Sequence, residues 1–247
     1  MRMRYGFLII GGLFILAQGC TSGGAPVVVL GTPEFVPRSE PDSTDENGVG
    51  QDPGTGGISL QWYSCRGALS HKLFRTDSVS PSGIPAGFSI IGTAGASGGP
   101  GDTAMVDNNA LETGVRYFYF LRAYSADGSP SVSSDTIDFR LLERPSPSFP
   151  GMNAVVNKSL VSFQWRDKTG GGCTVIRVKD ITSGPAVTVW VSRRFQNYDT
   201  YAARAFDFDS TTTGQLMTGH TYQWRVDRFT PGVSEGARSD WQIFTIQ

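Results

Sequence analysis

The feature that most restricts what this chain can fold into is an internal repeat. Ile58–Trp62 (ISLQW) and Leu160–Trp165 (LVSFQW) both alternate apolar and polar residues, and their tryptophans lie 103 positions apart. Further on, Leu111, Gly114, Tyr117, Tyr119 and Leu121 are answered by Leu216, Gly219, Tyr222, Trp224 and Val226, each shifted by 105. Ser134-Asp135 ahead of Phe139 is answered at the same shift by Ser239-Asp240 ahead of Phe244. Three matches at nearly one offset imply two copies of one unit. Within each copy, short runs of alternating polarity are broken by turn chemistry, such as Asp127-Gly128 and Pro231-Gly232. Gly is abundant, at 31 of 247 residues, and only 17% of residues are charged, which favours an all-β protein with many turns.

An apolar-x-Trp strand early in each copy, followed by Leu-x-x-Gly-x-x-Tyr leading into an alternating strand, resembles the fibronectin type III domain. That resemblance covers residues 57–143 and 152–247 and implies two immunoglobulin-like β-sandwiches in tandem. It also implies roles for four residues. Trp62 and Trp165 are core tryptophans, and Tyr117 and Tyr222 are corner tyrosines whose hydroxyls close the preceding turn. The glycine-rich stretch Gly92–Gly101 in the first copy and the long aromatic stretch in the second depart from the family pattern.

The N-terminus reads as an export signal. Arg2 and Arg4 precede an apolar run, Tyr5–Ala17, which is shorter than the ~20 residues of a membrane-spanning helix. The run exits through Leu16-Ala17-Gln18-Gly19-Cys20, which resembles the lipobox of bacterial lipoproteins, although Ala17 and Gln18 depart from its commonest form. The resemblance implies cleavage after residue 19, a diacylglyceryl group on Cys20, acylation of the new amino terminus and a cell-envelope location. With Thr21 following, the expected address is the outer membrane if the organism has two membranes, and otherwise the outer leaflet of the cell membrane. Loss of residues 1–19 leaves 19 Lys+Arg against 22 Asp+Glu, a net charge of −3, and no basic stripe suggests nucleic acid.

Between Cys20 and the first copy, residues 38–57 (RSEPDSTDENGVGQDPGTGG) hold almost nothing to bury. Residues 20–56 are therefore expected to form a mobile tether, with Val27–Leu30 an apolar exception that a first strand would explain. The proline-rich run 144–151 reads as a stiff linker joining the copies end to end. In such a linear tandem Cys65 and Cys173 stand about one domain length (~35 Å) apart, beyond the reach of a disulfide, so two shielded thiols are expected.

Motifs for chemistry are sparse. His71 opens a strand and His220 sits in the corner turn, neither in a metal-spaced cluster. There is no G-x-S-x-G elbow and no phosphate loop. Asp42, Asp45 and Glu46 fit a solvated linker better than an EF-hand, because the loop frame puts Ser43 and Gly54 where carboxylates are required. No cofactor, metal or catalytic group is expected.

The richest candidate binding face is the stretch 190–208, with Trp190, Arg193, Arg194, Phe195, Tyr198, Tyr201 and Arg204. Arg and aromatic residues are enriched in contact surfaces. Core aromatics on middle strands, with the charges facing water, explain the same pattern. The expected function is a lipid-anchored binding or scaffold protein contacting an envelope protein or polysaccharide. Alternatives are a structural subunit of a surface assembly, or an accessory module of a carbohydrate-active system whose carboxylates (Asp199, Asp207, Asp209) converge.

Overall fold

A computed structural model describes residues 30–95, 103–169 and 171–247. The signal segment 1–19, Cys20, residues 27–29 and the centre of the glycine-rich loop lie outside the described residues.

The first copy is a sandwich of two sheets. One holds β1 (Gly50–Gln51), β2 (Ile58–Gln61) and β5 (Ala104–Asp107). The other holds β3 (Ser70–Thr76), β4 (Ser89–Gly95), β6 (Arg116–Tyr124) and β7 (Ile137–Leu141), in the order β7-β6-β3-β4. Alternation along β6 sends Tyr117, Tyr119, Leu121 and Ala123 inward, where Tyr117, Tyr119 and Leu121 pack with Ile58, Leu60, Trp62 and Phe139. Burying a tyrosine ring requires a partner for its hydroxyl, and the Tyr117 oxygen accepts the Glu112 N–H at 2.7 Å.

The second copy repeats the plan. β8 (Ser146–Phe149), β10 (Ser162–Arg166) and β14 (Tyr201–Ala205) form one sheet. The facing sheet runs β12 (Val187–Val191), β11 (Cys173–Asp180), β15 (Thr221–Phe229), with β17 (Gln242–Ile246) and β16 (Glu235–Arg238) both on the far side of β15. β9 (Ala154–Val156) pairs parallel to β17, and β13 (Phe195–Gln196) pairs with β11. Phe163, Trp165, Tyr222, Trp224 and Phe244 fill the core, and the Tyr222 hydroxyl accepts Met217 N–H at 2.8 Å. The repeat extends to single hydrogen bonds. Ser134 Oγ accepts Leu121 N–H as Ser239 Oγ accepts Val226 N–H, 105 residues on.

Two expectations about the joint need correction. The proline-rich run 144–151 is not a free spacer: Ser146–Phe149 within it is β8, paired to β10. Nor are the sandwiches end to end. β16 pairs in parallel with β7, Glu235 against Arg140 and Gly236 against Leu141, so the two larger sheets continue into one another side by side. The physical reason is an unpaired sheet edge on each copy, β7 and β16, whose backbone groups are satisfied by each other.

The acidic stretch is also not a mobile tether in its described part. Residues 34–36 run against Gln61–Tyr63, through the Phe35–Trp62 bridge and the Val36 N–H to Gln61 O bond at 2.9 Å. The chain leaves this edge, loops out over residues 39–47, and returns as β1 against β2. The first strand of the sandwich is thus split by an inserted loop, and the first copy begins near residue 33 rather than 57. Glu34–Val36 forms the upstream segment of that strand, and residues 27–29, where a strand was expected, lie outside the described residues.

Candidate functional site

The inserted loop rests on the second sandwich. Alternation on β15 turns Tyr222, Trp224 and Val226 into the core, leaving Arg225 and Asp227 on the opposite face. Arg177 of β11 stands directly beside Arg225 in register, and Lys179 and Arg238 flank the pair. This outer face would be solvated in an isolated sandwich. Here Arg177, Arg225 and Asp227 are buried beneath residues 38–51.

Each cation has a defined task. Asp227 receives Arg177 Nε at 2.8 Å and Arg225 Nε at 2.7 Å, which fixes the planes of both guanidinium groups. Thus oriented, Arg177 donates to the carbonyls of Ser43 at 2.7 Å and Pro41 at 2.5 Å. Arg225 pairs with Glu46, which also faces Lys179 at 3.3 Å and Arg238 at 3.6 Å. Arg238 reads Gln51 through its own N–H (2.6 Å) and guanidinium (3.0 Å). At the far side, Arg194 holds Asp42 at 2.8 Å and Glu40 at 3.0 Å. Trp241 lies under Arg225 and Lys179, its ring centre 4.5 and 5.2 Å from the charges.

The electrostatics follow from this crowding. Burial alone would raise the Asp227 carboxyl, but Arg225, Arg238 and Arg177 outweigh it and hold the group far below the usual carboxylate range. Glu46 behaves alike: burial pushes it up, and Arg225, Arg177 and Arg238 bring it below its ordinary value. Burial would ease the proton off Arg225, yet Asp227 and Glu46 bind it more firmly than usual. Arg38 and Arg238 shift downward, burial first; the charge of Arg238 adds to the effect on Arg38, and those of Arg225 and Arg177 add to it on Arg238. The loop shape needs Gly48, whose φ is +80° and whose missing Cβ would stand 2.6 Å from Arg38 Cα.

No protein-family model matches this sequence, and no curated protein is found similar to it. Among solved structures, the chain is similar to the FN1–FN3 domains of chicken CNTN1, at 14% identity and a TM-score of 0.23, over 87% of this chain and 67% of that one. The fibronectin type III-like architecture stands on the paired sheets, their order and the two corner tyrosines.

The stretch 190–208 does not form one face. Trp190 is 1% exposed, and its indole N–H donates to Asp209 and Thr211, both at 3.1 Å. Phe195, Phe206 and Phe208 are edge-on to one another or to Trp190, and Arg204 lies over the Phe195 and Phe208 rings. These aromatics close one side of the second sandwich, and Arg194 is spent on the loop. Arg193 is exposed, as are Tyr198 (76%) and Tyr201 (73%). Asp207 and Asp209 serve their own turn by accepting from Thr212 and Thr211. Among the described residues no group of three or more His, Cys, Asp or Glu could hold a metal.

His71 is buried in the first core, and His220 is half-buried with Nδ1 2.7 Å from Asp180. Of the three cysteines, the two among the described residues, Cys65 and Cys173, are free and buried. Cys65 Sγ donates to Gly31 O at 3.0 Å, and Cys173 Sγ accepts from Gln196 Nε2 at 3.3 Å. Burial raises the Cys65 thiol above its ordinary value.

Sequence reasoning missed the seam because its two halves are read apart as ordinary surface. An acidic stretch looks solvated, and outward-facing arginines on a strand look solvated too. The usable signal was the pattern at equivalent positions: β15 carries Arg225-x-Asp227 where the first copy has Phe120-x-Arg122.

Proposed function

We infer that this chain is a non-catalytic binding and scaffold module, held at a bacterial cell envelope by lipid on Cys20. The observation that carries the binding part is the seam itself. A sheet face with guanidiniums oriented by Asp227 already works as a receptor for an extended acidic segment. The joined sheets give that receptor a fixed setting, since β16 and β7 leave the sandwiches no independent edge at the joint.

Support for the anchor comes from the lipobox-like run ending at Cys20. The distance to the body adds a consequence. Among the described residues the first bond to the sandwich is made by Gly31, eleven residues after Cys20, a contour of at most ~40 Å. The span expected to tether the body, residues 20–56, is therefore shortened to at most eleven residues, and in this reading the sandwiches ride close to the lipid surface. A partner would be met there, on an envelope protein.

The test is intact mass and membrane partitioning in a bacterial host, with Cys20→Ala alongside. Wild type should gain the mass of several acyl chains and sediment with membranes, while the variant is released. If both are soluble and unmodified, the anchor is wrong, and a secreted tandem module remains.

A further inference from the structure

We propose that the basic face of β11, β15 and β16 is a docking groove for an acidic, extended peptide of a partner protein, and that the loop 39–47 is its occupant in cis. The inference deepens the binding-module reading and depends on it, but not on the lipid anchor.

The receptor is complete within one sandwich. Asp227, Arg177, Arg225 and Arg238 all belong to the second copy, so the orientation of the guanidiniums by Asp227 does not require the loop. What the face reads is peptide. Arg177 spends both terminal nitrogens on main-chain carbonyls two residues apart, Pro41 and Ser43, a spacing that only a polypeptide offers. Polysaccharide and phosphate lack that repeat. Side-chain readout then asks for carboxylates one residue before Ser43 and three after it, met by Arg194 and Arg225.

The present occupant is held by polar contacts that an equivalent acidic peptide can replace. Glu40, Thr44, Asp45 and Asn47 are exposed, and the loop brings no buried apolar side chain of its own before Val49. Its attachment is polar and partly wet, the kind of segment that opens locally while the sandwiches stay folded. Both ends are fixed in the first copy, at Val36 and at β1, so lifting the loop breaks no core. The groove also exceeds its occupant. Beside the loop an open cleft of about 290 Å³ runs between Arg38–Pro41, Arg194 and the turn Phe229–Ser234.

The first sandwich shows what this position looks like without such a task. In its register Phe74 pairs with Phe120, stacked at 4.5 Å, where the second has Arg177 beside Arg225.

The experiment uses the full chain in non-denaturing detergent and a fluorescein-labelled peptide of residues 38–47, followed by anisotropy. Relative to wild type, whose own loop competes, the Asp42→Asn/Glu46→Gln chain should bind the peptide at least tenfold more tightly. Adding Arg177→Gln to that chain should weaken binding tenfold or more. Arg194→Gln, at a half-exposed site that folding tolerates, should weaken it in the same direction. A peptide carrying the same two neutralising substitutions should bind at least tenfold less well. The proposal is overturned if the loop variant, folded by circular dichroism, binds no better than wild type. Equal binding of acidic and neutral peptides, or indifference to both arginine substitutions, would overturn it too. A loop variant that dimerises and is not dissociated by peptide would give the groove to a second copy instead. None of these readouts depends on Cys20, so their failure is separable from failure of the anchor.

Discussion

Replacing Asp227 by Asn isolates the group that organises the seam. The carboxylate sits between Arg177 and Arg225, whose side chains are 3% and 2% exposed, and an amide of the same shape carries no charge and offers one accepting oxygen where the carboxylate offers two. Removing one partner of a buried ion pair costs ~3–5 kcal/mol, chiefly because the remaining charge stays buried. Glu46 still balances Arg225, so the lower part of that range applies, about 3–4 kcal/mol. For a folded body of this size, each kcal/mol moves the melting temperature by ~2–4 °C, so Asp227→Asn should melt roughly 6–16 °C below wild type. Calorimetry and urea unfolding would measure it, with Asp240→Asn as the control. Asp240 pairs with Arg144 but is 68% exposed, and its loss should cost under ~1 kcal/mol. If the two variants are equally stable, the buried network does not hold the seam, and Asp227 is not its organising group.

Three further outcomes follow from the geometry. Tyr117→Phe and Tyr222→Phe each remove the acceptor of a turn N–H, Glu112 and Met217 respectively, and each should cost ~1–2 kcal/mol in urea unfolding, with near-equal values because the corners are equivalent. Gly57→Ala would place a Cβ 2.4 Å from the Asp107 carbonyl and 2.0 Å from Asn108 Oδ1, forcing β2 and β5 apart; a loss of ~1–3 kcal/mol is expected, and an unchanged urea midpoint would contradict the packing. In acid the seam should loosen before the cores. Glu46 and Asp227 have folded values below their unfolded ones, so the stability they contribute is present above the unfolded values and is lost as pH falls through the folded ones. Trp241 fluorescence, read as the difference from Trp241→Phe, should change on acidification while far-ultraviolet circular dichroism holds, and Glu46→Gln should show the loosened signal already at pH 7.

What was legible in the sequence was what one copy does by itself. Alternation around Trp62, Tyr117, Trp165 and Tyr222 is set by burial within a sandwich, and it could be read position by position. The offset of 105 even carried over to Ser134 and Ser239, whose hydroxyls do the same work in both copies. What the copies do to each other was not legible. The β7–β16 pairing uses backbone groups that every residue carries, so no side-chain pattern announces it. The 39–47 loop escaped because its stability comes from partners some 130–180 positions away, Arg177, Arg225 and Lys179 among them. Trp190 was misplaced on a binding face for a related reason: aromatic content does not say which sheet closes over it.

The two copies share a core but not an outer face, and the difference bears on function. At one register position the first sandwich stacks Phe74 on Phe120 with Arg122 lying over both rings, a surface satisfied by itself. At the equivalent position the second holds Arg177 and Arg225 apart with Asp227, a surface that leaves donors over and requires an acceptor from elsewhere. Core packing does not demand this, since inward residues on both sheets follow the same alternation. An apolar or neutral replacement would have left the sandwich no less stable, because buried ion pairs rarely repay their desolvation. The charges are better understood as a choice of what the face can bind. In this chain the demand is met by the loop 39–47, whose acids and carbonyls come from the other sandwich, so recognition and the fixing of the two domains are one interaction.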